Sequence, residues 1–240
     1  MNTIKHFLAI ALLITVSNTA KAQYDDGYYT TTYYESSSRT HYYSDYEEGW
    51  GNIYVEYSPL QLTSTAKGVD NKHFNTATIG FGFDYPLGGS PVCIEGAFET
   101  SGTWYSKRYD DGEKYSMDLY FSKIPVNIAL RLDIDENFAI VPFGGAYVKW
   151  NIYGEEREKD IYGDTHTWKL FEDNHTYDDD YNRFQFGYQA GVRFIIGKCF
   201  SIGASWKADI TPLCKYYDRY TKKEEKELFK GFAFQLAYCF

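Results

Sequence analysis

After residue 22 the chain has no apolar run long enough to be a membrane-spanning helix. Such a helix needs about 20 consecutive apolar residues, so a helical membrane protein is excluded. The chain also lacks basic excess: 24 Lys and Arg stand against 33 Asp and Glu, a formal charge of −9. A nucleic-acid partner needs a cationic face, so this balance argues against one. Four cysteines are present, and no two are spaced CxxC, which argues against a structural metal site. No cofactor motif stands out either. Residues 23–50 contain no Leu, Ile or Val, and eight of them are Tyr. A segment without aliphatic residues cannot build its own core. It is expected to be a flexible Tyr/Ser/Asp-rich arm, separate from residues 51–240.

What is present begins with an export signal. Lys5 and His6 precede the apolar run from Phe7 to Val16, and Ala20-Lys21-Ala22 comes after it. This is a signal peptide over 1–22, with cleavage expected between Ala22 and Gln23. Removing its two lysines takes the formal charge from −9 to −11 (−9 − 2). The full sequence is 20% aromatic, with 25 Tyr and 17 Phe. Strands with one face in lipid and aromatic girdles at both interfaces use such residues.

Residues 51–240 read as strands of period two. In the last of them Phe232, Phe234, Leu236, Tyr238 and Phe240 share one parity, and Ala233, Gln235, Ala237 and Cys239 share the other. An edge this apolar invites aggregation in water, whereas a closed membrane barrel pairs every backbone group and covers the aromatics with lipid. Eight such strands are expected, at about 52–59, 75–85, 92–104, 117–132, 138–153, 183–195, 200–210 and 231–240. In the fourth, Ile124, Val126, Ile128 and Leu130 oppose Lys123, Asn127 and Arg131, but Leu119 and Phe121 lie on the charged parity. That change signals either a bulge near Ser122 or an inward aromatic. The parity of the fifth strand is ambiguous at Gly144-Gly145.

Connections are expected to alternate, long at 60–74, 107–114, 154–180 and 212–229 and short between them. Membrane barrels have this rhythm, and soluble sandwiches have no need of it. The faces rich in Phe, Ile and Trp carry no charge. The opposite faces carry Glu95, Glu99, Arg131, Arg193, Lys207 and Asp209. A Lys or Arg facing lipid at mid-depth costs roughly 2–4 kcal/mol, so these charges are expected to face the lumen. The fold class is therefore an all-β, eight-stranded antiparallel up-and-down transmembrane barrel, preceded by the signal peptide and the arm.

Tyr120 to Val126 (YFSKIPV), Ile140 to Val148 (IVPFGGAYV), Phe184 to Ile196 (FQFGYQAGVRFII) and the ending AYCF resemble a porin-family outer-membrane β-barrel domain of Gram-negative bacteria, of the small OmpA type. The resemblance covers roughly residues 50–240. It implies an eight-stranded barrel and a terminal signal, Tyr238 and Phe240, read by the outer-membrane assembly machinery. It implies no single activity.

Few constellations carry chemistry. His41, His73, His166 and His175 fall in the arm or in and beside loops, and none has a Ser and a carboxylate at a defensible spacing. The segment 154–180 holds ten Asp or Glu against three Lys or Arg. Asp173, Asn174, Asp178, Asp179 and Asp180 offer oxygen ligands for Ca²⁺, although a hydrated acidic loop is the commoner case. Within it Trp168, Leu170 and Phe171 read as a local cluster. Cys199 and Cys239 lie at the same end of adjacent strands. They are either a bridge that staples the last strand or two free thiols. An eight-stranded interior is filled by side chains, so no wide pore is expected.

The expected function is a non-enzymatic outer-membrane barrel with a structural, surface-interaction or envelope-assembly role. Its expected partners are membrane lipid, lipopolysaccharide and the assembly machinery, with room for an unidentified protein partner. The alternatives are a membrane-embedded lipid-modifying enzyme and a soluble periplasmic ligand-binding barrel.

Overall fold

The computed structural model describes residues 50–240 apart from 67–68, 70, 88–89, 111, 136, 173–179, 198 and 219–221. The signal cleavage at Ala22 and Gln23, residues 23–49 of the arm, His41, His175, and Asp173, Asn174, Asp178 and Asp179 lie outside the described residues.

Strand segments succeed one another along the chain: β1 Trp50–Ser64, β2 Lys72–Pro86, β3 Val92–Arg108, β4 Lys114–Leu130, β5 Leu132–Asp135, β6 Phe138–Lys159, β7 Thr165–Lys169, β8 Asp180–Tyr181, β9 Phe184–Ile196, β10 Phe200–Asp209, β11 Cys214–Asp218 and β12 Lys223–Cys239. Eight of them form the wall, in the order β1-β2-β3-β4-β6-β9-β10-β12, and β12 returns to pair with β1. Every pairing is antiparallel, and the seam runs from Ile53 opposite Tyr238 to Tyr57 opposite Phe234. Phe240 extends the seam: its N–H donates to the Gly51 carbonyl at 2.9 Å, and the Gly51 N–H donates to its carbonyl at 3.0 Å. This is the closed eight-stranded barrel that the period-two pattern predicts.

The faces are sorted by their surroundings. Outward side chains include Phe83 (56% exposed), Ile128 (66%), Ile202, Phe234 and Leu236. The inward ones include Glu99 (2%), Lys123 (5%) and Gln185 (0%). Along β10 the outward apolar residues run from Phe200 to Ile210. Ten steps of ~3.3 Å on a strand tilted by ~40° cover roughly 25 Å, the height of a lipid-facing band. Aromatic rings mark both borders. Phe200 and Tyr238 (5.5 Å) and Phe138 and Phe194 (6.1 Å) pair near the short turns. Trp206 and Phe232 (4.8 Å) and Trp150 and Phe184 (6.1 Å) pair towards the other border. The short-turn end is the lower end of the barrel, and the opposite end is the upper.

The β4 parity resolves without a break. Met117, Leu119, Phe121 and Lys123 are all buried and all face inward. No bulge occurs at Ser122. The irregularity lies on the partner strand, where Tyr120 faces Tyr153 and Phe121 faces Asn151, so Ile152 is the extra residue. The parity of β6 across Gly144-Gly145 is likewise continuous: Val141, Tyr147 and Lys149 face in, and Val148 and Trp150 face out.

The upper connections differ from the long loops expected. Their residues are largely paired strand: β1 and β2 continue to Ser64 and Lys72, and β3 and β4 to Arg108 and Lys114. The β3–β4 connection is a tight turn closed by the Tyr109 N–H on the Glu113 carbonyl at 2.8 Å, with Gly112 at φ 99°. Segment 154–180 contains the β6–β7 hairpin, and 212–229 contains β11 and the start of β12. Above the lipid a strand no longer needs a greasy outer face, so the pairing continues where the apolar alternation stops.

Candidate functional site in the barrel interior

An interior facing away from lipid, with no room for bulk water, must pair its polar groups. The wall does this with four charge-centred groups. In the first, Lys123 on β4 lies 2.6 Å from Glu99 on β3, and the Tyr54 hydroxyl on β1 donates to Glu99 at 2.8 Å. In the second, Lys149 on β6 lies 2.5 Å from Asp209 on β10, which also accepts from the Tyr147 hydroxyl (2.7 Å) and the Gln185 amide (3.0 Å). In the third, Lys207 reaches both oxygens of Glu56 at 2.6 Å, and the Ser58 hydroxyl donates to the same carboxylate at 3.0 Å. In the fourth, Arg193 pairs with Glu95 and stands 3.7 Å from Asp84. The Asn127 amide donates to Glu95 at 3.3 Å, and the Gln189 amide donates to Asn127 at 3.0 Å.

Glycine makes room for the two tyrosines. Tyr54 faces Gly80 across the β1–β2 pair, and Tyr147 faces Gly187 across β6–β9. A Cβ on Gly80 would lie 2.1 Å from the Tyr54 ring, and one on Gly187 would lie 2.2 Å from the Tyr147 ring. Each ring therefore lies flat on a bare stretch of neighbouring strand and aims its hydroxyl at a carboxylate.

Of the charges assigned to the lumen from the sequence, Glu95, Glu99, Arg193, Lys207 and Asp209 are buried inside the wall. Arg131 is displaced from them. It comes directly after the end of β4, its N–H donates to the Pro91 carbonyl, its guanidinium lies 3.6 Å from the Trp50 ring centroid, and it pairs with Asp133 at 2.9 Å. It closes the lower mouth instead of joining the buried pairs. Glu56 and Lys149 are buried charges missing from the sequence-based set. Their signal was the parity opposite Val55 and Tyr57, and opposite Val148 and Trp150.

Apolar plugs bound the charged layer. Below it lie Cys93, Ala129, Ala139, Val141 and Ile195, with Trp50 and Phe143 against them. Above it Leu62, Phe74, Met117, Leu119, Leu170, Leu213 and Phe229 form a larger cluster. Leu170 and Leu213 reach it from the upper chain segments. Gly154 admits Leu170, since a Cβ there would lie 2.7 Å from Leu119 and 2.8 Å from Leu170. The adjacent Phe171 packs on Tyr181 at 6.3 Å, and Trp168 stacks on His166 outside. Between the plugs a cavity of about 40 Å³ remains, lined by Asp84, Glu95, Gln189, Arg193 and Lys207 among others. That is space for a few waters.

Above the plug, the Tyr115 hydroxyl donates to Glu156 at 2.6 Å, the Tyr181 hydroxyl reaches the same oxygen at 3.3 Å, and Lys72 donates to Tyr115 at 3.2 Å. Burial, and after it the Glu156 charge, pushes both tyrosine hydroxyls far above their usual range. They are hydrogen-bonding struts and carry no negative charge at neutral pH.

Chemistry-bearing residues are dispersed. His73 and His166 are exposed on β2 and β7, and neither makes a side-chain hydrogen bond or ion pair among the described residues. Among the described residues no group of three His, Cys, Asp or Glu could hold a metal ion. Cys199 and Cys239 are free thiols. The Cys239 N–H donates to the Cys199 carbonyl at 2.6 Å. Cys199, however, belongs to the exposed β9–β10 turn and not to the inward parity of β10, so no bridge staples the last strand. Tyr238 and Phe240 stand on the outer face, half exposed at the lower border.

A closed barrel with apolar residues outside and paired charges inside is a transmembrane β-barrel, and barrels of this kind belong to the bacterial outer membrane. No known protein family and no curated protein matches the sequence. Several solved structures align with most of the chain. The attachment invasion locus protein Ail of Yersinia pestis is 14% identical, with a TM-score of 0.44, over 80% of this chain and 99% of that one. Neisserial surface protein A is 9% identical, with a TM-score of 0.44, over 79% and 96%. The outer-membrane enzyme PagL is 8% identical, with a TM-score of 0.34, over 76% and 97%.

Proposed function

We propose that this chain is a non-enzymatic outer-membrane barrel without a wide pore, and that its work is structural or interactive and done at the upper surface. The observation that supports this reading is the filled interior. Four charge-centred groups and two apolar plugs occupy it, and the cavity among the charged groups offers about 40 Å³ of water-accessible space. Small sugars are far larger than such a space. Liposomes carrying the folded protein should therefore show no sugar-driven swelling beyond protein-free controls. Rapid swelling would overturn the reading.

In this proposal the signal peptide is cleaved between Ala22 and Gln23, and the 23–50 arm is periplasmic. Lipid and lipopolysaccharide surround the wall, and Tyr238 and Phe240 engage the assembly machinery. A lipid-modifying activity finds no supporting constellation among the described residues, since His73 and His166 sit apart on β2 and β7. A soluble ligand-binding barrel would need the reverse sorting, with Phe83, Ile128 and Phe234 inside and Glu99 and Lys123 outside.

A further inference from the structure

Two thiols meet at the lower end of the barrel, and the fold leaves them unjoined. Cys199 lies in the β9–β10 turn, directly before β10, and Cys239 is the last residue of β12. Along β10–β12 Phe200 faces Tyr238. The next step of that ladder sets Cys199 opposite Cys239, and the Cys239 N–H donates to the Cys199 carbonyl at 2.6 Å. Hydrogen-bonded residues directly opposite in an antiparallel pair hold their Cα atoms about 5.5 Å apart. A disulfide spans roughly 4.4–6.8 Å between Cα atoms. The two backbones therefore already stand at bridging distance.

The side chains differ in access. Cys199 is exposed in a turn where Gly197 takes φ 61°. Its place in that turn leaves its thiol unjoined here and open to a reagent from solvent. Cys239 is half-buried. The other two thiols lie elsewhere. Cys93 is buried in the lower plug on β3, which β1 and β2 separate from β12. Cys214 is buried at the upper end, on β11.

Position gives the pair its consequence. Cys239 precedes Phe240, whose two backbone hydrogen bonds with Gly51 finish the lower end of the seam. Bonds at a strand end open most readily. A covalent link from Cys239 to Cys199 holds β12 against β10 on one side while Gly51 holds it on the other. We propose that Cys199 and Cys239 form a redox-active dithiol whose oxidation clamps the lower end of β12. This proposal rests on the outer-membrane reading, which sets the lower end in the oxidising periplasm. The oxidant is a protein or small-molecule disulfide. The Cys199 thiolate attacks one sulfur of that disulfide, forming a mixed disulfide and releasing the other sulfur as a thiolate. The Cys239 thiolate then attacks the Cys199 sulfur and expels the second thiolate. One S–S bond replaces another, two electrons pass to the oxidant, and the two cysteine protons end on its thiols.

The test uses the full folded chain in lipid bilayers, equilibrated with oxidised glutathione, quenched in acid, unfolded and counted for free thiols with a maleimide. Of its four cysteines the wild type should show two free, the C93S/C214S variant none and the C199S variant all three. The oxidised C93S/C214S chain should have lost two hydrogens from its intact mass. Two free thiols in C93S/C214S would overturn the proposal, as would a glutathione adduct in place of the bridge or a bridge that persists in C199S. Hydrogen exchange reads the clamp. The Gly51 and Phe240 amides should exchange about tenfold more slowly in oxidised C93S/C214S than in the same variant after reduction with dithiothreitol. Equal exchange in the two states would overturn the clamp. Heat-modifiable gel mobility reports insertion separately. A chain that does not insert overturns the membrane reading, whereas an inserted chain with both thiols free overturns the dithiol alone.

Discussion

The interior within the lipid band and the interior above it are built by opposite rules. Within the band the inward side chains are Glu56, Glu99, Lys123, Lys149, Lys207 and Asp209, and the outward ones are Phe, Ile, Val and Trp. Above it the inward side chains are Leu62, Phe74, Met117, Leu119 and Phe229, and the outward ones are Arg108, Lys114, Arg157 and Lys159. On β1, β2, β3, β4 and β12 the parity is the same in both regions, and on β6 it shifts by one at the extra residue Ile152. The surrounding medium changes instead. Lipid rejects charge and takes apolar side chains at no cost, so polar residues go inside. Water accepts charge, so the upper barrel buries apolar residues as a soluble domain does. The changeover falls between Lys123 and Leu119 on β4 and between Asn151 and Gly154 on β6, beside the extra residue Ile152.

This contrast can be broken in decreasing steps. The largest effects belong to the two interiors. Lys123→Met leaves Glu99 buried with its cation gone and should cost about 3–5 kcal/mol in a urea-unfolding assay in lipid vesicles, whereas Lys123→Met with Glu99→Gln should recover most of it. Phe74→Ala in the upper plug should cost a similar ~3–5 kcal/mol through a cavity, with no rescue by any change of charge. If the single and double variants at 99 and 123 are equally unstable, the buried pair is not the unit described. Next, Val126→Arg on the outward face within the band should cost about 2–4 kcal/mol, measured the same way. Ser116→Arg, ten residues up the same strand and on the same face, should stay within about 0.5 kcal/mol. Comparable losses at both positions would erase the boundary.

The smallest effect concerns acid. The Tyr153 hydroxyl bond, followed by the Arg157 guanidinium, holds the Glu155 carboxyl below the usual carboxylate range. A depressed value means that the stabilisation is present above the unfolded value, near 4, and is lost as pH falls through the lower folded value. Hydrogen exchange of the β6–β7 hairpin should therefore loosen below pH 4, ahead of the wall, and Glu155→Gln should remove that step.

The lipid-band wall was legible in the sequence because lipid enforces a strict alternation. Ile124 to Leu130 and Phe232 to Phe240 show it plainly. The upper barrel was less legible because water permits charge on an exposed strand. Lys223 to Lys226 (KEEK) reads as loop, yet it pairs with β11. The inward Leu119 and Phe121 looked like a fault in one strand, and they are the place where the strand leaves the membrane. The partner in each ion pair could not be read, because Lys149 with Asp209 and Glu56 with Lys207 are distant in sequence and meet only through barrel closure. Glycines 80 and 187 gave no hint of the tyrosines lying on them until the register was known.

The most direct test is an accessibility scan along β4 in lipid bilayers. Spin labels would be placed one at a time on the outward residues Ser116, Asp118, Ile124, Val126 and Ile128 in a cysteine-free background. Labels at 124, 126 and 128 should collide with membrane-dissolved oxygen and be shielded from a water-soluble nickel chelate, and labels at 116 and 118 should show the reverse. A single uniform response from 116 to 128 would contradict a polarity inversion between lipid band and upper barrel.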